Sequence, residues 1–254
     1  RFSQTEIPLG LVPIDRAAFE DANTLASLVS DVDVIIHFAG VNRGEHEMVE
    51  KANPAIAEQL ISACRAAKSH PHIIYANSTH AGSDTSYGRS KRIAGEKLAD
   101  FADGYTDLVL PHIFGECARP NYNNVTATLI DDIWNDKNPN INPEGRVQLL
   151  HAGEAAQIAI DAAFNKTYGR LVPEGRQISV QDLYEKIANF HRLYQDNIFP
   201  DLGDAFDLNL FNSYRTAGYP AHYPFEPKVN RDDRGILFES AKGGNAAQSF
   251  LSTT

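Results

Sequence analysis

"PHIIYANSTHAGSDTSYGRSK", residues 71–91, sets a short apolar run against a longer polar one. Residues 71–78 read as a buried β-strand, and the segment from about 86 to 102 reads as a helix. On that helix Tyr87 and Lys91 stand four residues apart, so their side chains project from one face about a turn from each other. A tyrosine hydroxyl has an ordinary pKa of about 10, and a nearby ammonium favours its phenolate. Lys91 would supply that charge. A Tyr/Lys pair at this spacing also arises by chance on helix surfaces, and by itself it carries little. Ser78 adds position. It ends the strand, where open α/β sheets present residues to a ligand crevice. A hydroxyl there can donate to a carbonyl or alkoxide oxygen while Tyr87 passes the proton. The ordinary alternative for Ser78 is a turn residue or helix cap, and Asn77 and Thr79 flank it.

Moving outward, "VDVIIHFAG", residues 32–40, reads as another buried strand closed by glycine. Ala39 and Gly40 either end that strand or let backbone approach a flat cofactor closely. In "ANPAIAEQLISACRAA", residues 52–67, Ile56, Leu60, Ala63 and Ala67 form one helical stripe, with Asn53 as N-cap and Pro54 at the first helical position. Asn53 has a second reading, as a polar anchor for a water chain to Lys91. "TDLVLPHIFG", residues 106–115, reads as one further strand ending in a glycine turn. This β-α-β rhythm predicts a Rossmann-like, doubly wound parallel sheet, an α/β fold. From residue 116 the chain turns polar and asparagine-rich, as a small substrate-binding lobe would. Ser179 then caps a helix whose buried stripe is Leu183, Ile187 and Phe190. Near 219 the character changes to prolines and a charged turn, which divides the chain into residues 1–218 and 219–254.

Composition narrows the partners. The 254 residues carry a formal net charge of −10 with no basic run, which opposes nucleic acid and anionic membranes and favours a small molecule. No apolar run reaches the roughly 18 to 20 residues of a membrane span. The two cysteines, Cys64 and Cys117, lack ligand spacing, as expected of reduced thiols in a cytoplasmic protein. His37, His112 and His151 are scattered, and no metal is assigned. "FNSYRTAGYPAHYPF", residues 211–225, reads as an aromatic cover over the core, with a docking surface as the alternative.

Ser78, Tyr87, Lys91, the "HFAG" strand end and Asn53, in this order, resemble the extended short-chain dehydrogenase/reductases of the sugar-nucleotide branch over most of residues 10–165. "HFAGVNRGEHE" (37–47), "RPNYNNV" (119–125) and "NRDDRGILFES" (230–240) resemble the capsular polysaccharide assembly proteins of that family. The resemblance implies a reductase that uses NADPH on the C4 ketone of a UDP-linked 6-deoxy-N-acetylhexosamine for capsule or O-antigen, followed by a cupin that epimerises C3. It makes Tyr87 the proton donor, Ser78 the carbonyl partner and Lys91 the ribose anchor. It places Asp15, Arg16, Phe38, Ala39, Gly40, Asn53, Pro111 and Ile113 with Tyr87 and Lys91 at the cofactor. It places Arg43, Ser78, Thr79, His112, Arg119, Asn121, Tyr122 and Asn123 at the UDP-sugar. It also implies a homodimer.

Asp15, if it ends a strand, favours a free ribose 2′-hydroxyl and NAD(H), whereas Arg16 suits the 2′-phosphate of NADP(H); the resemblance points to NADP(H). The glycine-rich phosphate turn of such domains has no counterpart, since Gly10 stands alone. The chain therefore reads as starting near the second strand, and residues 219–254 as a linker and the beginning of a cupin that stops before its histidine-rich segment. Two other functions stay open: an NAD-dependent nucleotide-sugar 4-epimerase, and a non-catalytic nucleotide-binding subunit. A 4,6-dehydratase is disfavoured, because Thr79 and His80 follow Ser78 where an acidic pair is needed.

Overall fold

The computed structural model describes residues 10–223, 228–243 and 248–253. They form two compact units. The first holds the described residues up to Leu110 together with Ile158–Pro173, and the second holds Pro111–Gln157 and the described residues from Glu174 onward.

The first unit is built on a four-stranded sheet in the order β1 (Val34–His37), β2 (His72–Ser78), β3 (Gly104–Leu110), β6 (Gly169–Leu171). Every pairing is parallel, and the ends of β1 and β2 lie on the same edge because His37 pairs with Tyr75. Around this sheet run α1 (Ala22–Leu28), α2 (His46–Ala67) and α3 (Ser86–Phe101). Asp21 caps α1 by accepting from Asn23 and Thr24, and Thr85 caps α3 by accepting from Gly88 N–H; both satisfy amides that have no partner within the helix. Ile35, Leu60, Ile61, Cys64, Ile73, Ala94 and Leu98 are the heart of the core. Strand β2 is buried along six consecutive positions, the pattern of a strand covered on both faces.

Two expectations change. Helix α2 begins at His46, two turns before Asn53, so Asn53 is a buried residue inside the helix and Pro54 also lies inside it. Val49, Asn53, Ala57, Leu60 and Cys64 make up its buried stripe, and the side chain of Asn53 finds partners outside the helix, so capping is not its task. The run 106–115 is likewise two strands. Strand β3 ends at Leu110, and β4 (His112–Phe114) enters a different sheet. Pro111 lies between them and has no N–H to carry a ladder onward.

In the second unit β4 pairs in parallel with β5 (Arg146–His151), which pairs antiparallel with β7 (Arg176–Ser179). Helix α5 (Ala152–Phe164) follows β5 directly. Helices α4 (Val125–Trp134), α6 (Val180–Gln195) and α7 (Ala205–Gly218) enclose a core of Phe114, Leu129, Ile130, Leu183, Ile187, Phe190, Leu210 and Phe211. Ser179 caps α6, its hydroxyl accepting from Asp182 N–H at 2.9 Å, and Leu183, Ile187 and Phe190 are buried as their spacing requires. Trp134 stacks between Tyr214, at 4.8 Å, and His222, at 4.5 Å. The aromatic segment that follows Phe211 is thus partly core, although Tyr219 is exposed and residues 224–227 lie outside the described residues. Strands β8 (Ile198–Phe199), β9 (Val229–Asp232), β10 (Gly235–Gly243) and β11 (Gln248–Thr253) form a third sheet. The boundary expected near 219 falls within this unit, at the end of α7.

Candidate active site

Parallel strands place their C-terminal ends on one edge, and that edge collects the reactive groups of the first unit. Ser78 is the last residue of β2, and its hydroxyl accepts from His80 N–H at 3.2 Å in the 3₁₀ turn Thr79–Gly82. Tyr87 stands in the first turn of α3, with its phenol near enough to Ser78 for that hydroxyl to act on its proton affinity. Burial pushes the Tyr87 phenol above its ordinary pKa, and the Ser78 hydroxyl pulls the other way. The expected effect of Lys91, a phenol driven toward phenolate, is therefore not what governs Tyr87: desolvation wins, and the proton stays on the oxygen. The 3₁₀ turn also brings the His80 ring to 6.5 Å from the Tyr87 ring.

Lys91 is buried, and its ammonium donates to the Ala76 carbonyl at 2.6 Å. Burial lowers its pKa to about 7, opposed by the charge of Asp107. Asn53 does not cap α2. Its Oδ1 accepts from Val41 N–H at 2.8 Å, and its Nδ2 donates to Val41 C=O at 2.9 Å and to Ser90 Oγ at 2.8 Å. It thereby fixes the segment after "HFAG" against α3. A Cβ at Gly40 would meet Asn53 Oδ1 at 2.9 Å and approach Lys91 Nζ to 3.8 Å, so only glycine leaves that space clear. An open strand end, a glycine, a buried amine and a phenol fit the nicotinamide-ribose end of a dinucleotide. Among the described residues no glycine-rich turn offers itself to the pyrophosphate, and a Cβ at Gly10 would meet none of their atoms within 4 Å.

The other residues read as cofactor or substrate contacts have surroundings of their own. Asp15 ends no strand. Its carboxylate accepts from Ala18 N–H at 3.1 Å and opens the 3₁₀ turn Ala17–Glu20, with Arg16 at the turn's N-cap. A strand is defined by its pairing, and no described strand lies beside residues 10–16. Phe38 and Ala39 are exposed beyond β1, as are Arg43 and Thr79. Pro111 is buried, and the Ile113 carbonyl accepts from Asn124 Nδ2 at 3.1 Å.

In the second unit His112, Asn121 and Asn123 line a cavity of about 520 Å³. Asn121 and Asn123 both hold left-handed backbone, with φ of 58° and 52°, a conformation asparagine tolerates better than most residues. The sequence reading missed Asn124, Thr128, Asp132 and Asn140, which share the lining. A signal for part of this set was present: Val125, Thr128, Leu129 and Asp132 follow helical spacing, so one face of α4 forms a wall. Asn124 caps that helix, accepting from Ala127 N–H at 3.0 Å. Arg119 and Tyr122 stack on each other at 5.2 Å outside the lining. Elsewhere in this unit His151, mostly buried at the end of β5, contacts Glu116 at 3.0 Å. Among the described residues no group of three or more acidic, cysteine or histidine side chains is disposed to hold a metal.

No family model matches the chain. The crystal structure of the capsular polysaccharide assembling protein CapF from Staphylococcus aureus superimposes with a TM-score of 0.69 at 23% identity, over 87% of this chain and 63% of its own. The likeness shows a Rossmann-like α/β fold built on a parallel sheet. A second structure with this fold, UDP-N-acetylglucosamine 4-epimerase from Methanobrevibacter ruminantium M1, gives 0.66 at 18% identity over 78% and 80% of the two chains. Others hold NAD or NADP. By sequence, UDP-2-acetamido-2,6-beta-L-arabino-hexul-4-ose reductase of Pseudomonas aeruginosa is 27% identical over 247 residues, 94% of this chain and 66% of that protein. The chain thus spans just under two thirds of the length of that relative and of CapF. Among the described residues no helix is long and apolar enough to cross a membrane.

Proposed function

We propose that this short-chain dehydrogenase/reductase domain reduces the C4 ketone of a UDP-linked 6-deoxy-N-acetylhexosamine with NADPH. The observation that carries the reading is the approach of the Tyr87 phenol to Ser78 at a parallel-sheet edge, with Lys91 buried one helical turn along α3. The 27% identity to a UDP-sugar 4-ketose reductase supports the substrate class.

A bound nicotinamide would supply hydride to the carbonyl carbon. The chain's own residues supply the rest. Ser78 Oγ donates to the carbonyl oxygen and holds it in place as negative charge develops there. Tyr87, kept protonated by burial, gives its proton to that oxygen. Lys91 anchors the ribose and presents its amine one helical turn from the phenol. The amide-lined cavity of the second unit offers donors and acceptors suited to a uridine nucleotide. Arg16 supports NADPH over NADH, and the Asp15 carboxylate, turned to the Ala18 amide, ends no strand and so gives no argument for the reverse. Capsule or O-antigen synthesis in the cytoplasm, by a homodimer, and a cupin after residue 219 complete the proposal.

The test is a panel of UDP-hexosamines and their 4-keto derivatives, each with NADPH, NADH and NAD. Consumption of NADPH with a 4-keto sugar, yielding the 4-hydroxy product, supports the reading. Interconversion of C4 epimers without net cofactor consumption assigns an epimerase. Binding without turnover of any member assigns a non-catalytic subunit.

A further inference from the structure

Lys91 is held by more than its hydrogen bond. Its Nζ lies 4.1 Å from the centroid of the Tyr75 ring, and the two residues are 4% and 1% exposed. The ring is in turn stacked on His37, 5.7 Å away with 21° between the planes. Tyr75 ends in a buried hydroxyl with no hydrogen-bond partner among the described residues. A buried phenol whose oxygen bonds to nothing is retained at a cost, and hydrogen bonding does not explain it. The ring face does have a partner, since an aromatic quadrupole attracts a cation most strongly where water is excluded and Lys91 Nζ lies over it.

We infer that Tyr75 is a positioning residue: its ring face and the Ala76 carbonyl together clamp the Lys91 ammonium at the sheet edge, next to Gly40 and one turn from Tyr87. The groups facing Lys91 come from each neighbouring element. They are His37 on β1, Tyr75 and the Ala76 carbonyl on β2, Asp107 on β3, and Asn53 of α2 beside Gly40. His37 is held neutral, its pKa lowered to about 4 by burial and by Lys91. It therefore adds no competing charge near neutral pH. The ring supplies attraction that burial alone would deny the amine. The role in cofactor anchoring rests on the reductase reading; the clamp itself does not.

The experiment follows the Lys91 side chain by NMR through a pH titration, with its resonance assigned by Lys91→Met. The wild-type chain is compared with Tyr75→Phe, with a ring-fluorinated phenylalanine at the same position, and with Tyr75→Leu. Fluorination withdraws charge from the ring face while keeping the packing, so loss of fold does not confuse the result. The expected wild-type midpoint is about 7, with Tyr75→Phe close to it and the fluorinated ring lower by about one unit. In parallel, the KM for NADPH rises several-fold with fluorination and recovers in Tyr75→Phe. A midpoint identical in the plain and fluorinated rings overturns the inference. If the midpoint moves but the wild-type chain reduces no UDP-4-keto sugar, the clamp stands and the reductase reading falls.

Discussion

In the first unit the side chains at the sheet edge lie against fixed neighbours: Tyr87 near Ser78, Lys91 on the Ala76 carbonyl and the Tyr75 ring, and Asn53 on Val41 and Ser90. In the second unit the cavity is walled by asparagines on loops and at a helix start, two of them in left-handed backbone. Proton transfer needs a group whose protonation state and position are set in advance, and burial among fixed partners sets both. Recognition of a polar ligand needs hydrogen-bonding capacity in several directions, which short amide side chains on turns provide.

That contrast can be broken most sharply at Tyr87. Tyr87→Phe removes only an oxygen and is expected to lower kcat for ketone reduction by about a thousandfold, with an unchanged circular dichroism spectrum. Turnover near the wild-type level would remove the phenol from the chemistry.

Lys91 gives the next effect. Its value of about 7 in the fold lies below the 10.5 of an unperturbed lysine. Between these values the unfolded chain binds more protons than the folded one, so stability rises with pH across that window and is lowest below about 7. Lys91→Met should flatten this slope and raise the melting temperature at pH 6, while cutting turnover. The wild-type kcat/KM should decline above about pH 7 as the amine loses its proton. A melting temperature in Lys91→Met that still follows the wild-type pH dependence would refute the assignment.

The second unit is probed through packing and then through its cavity. A Cβ at Gly218 would sit 2.6 Å from the Trp134 ring, so Gly218→Ala should destabilise the protein by about 1–3 kcal/mol, read by denaturant unfolding through the single tryptophan. Smallest is Asn124→Ala. Loss of the α4 cap costs about 1 kcal/mol, and the KM for the UDP-sugar should rise a few-fold with kcat unchanged. A fall in kcat alone would place Asn124 with the chemistry and dissolve the division between the two regions.

Much of this was legible in the residues. The strand at 72–78, the helix from 86 and the Ser179 cap follow from period, capping chemistry and turn residues, which act over a few positions. Asn53 shows where that reasoning stops. Asparagine followed by proline is a good local signal for a helix start, yet burial of Val49 and Ala57 on one stripe carries α2 through both residues. Pro111 was equally visible, but that the chain changes sheets there depends on which strands pair with β4. In the cavity the spacing of Val125, Thr128, Leu129 and Asp132 was readable, whereas the arrival of Asn140 from a later loop was not.

By itself the sequence determined the alternation of strands and helices, the place of Ser78 at a strand end and that of Tyr87 and Lys91 on one face of the helix that follows, because each rests on contacts within a turn or two. Only the tertiary structure decided that Tyr87 keeps its proton, that Lys91 lies on the Tyr75 ring and that Asn53 locks a loop. Those outcomes depend on desolvation and on partners from distant segments, and no short window of sequence contains either.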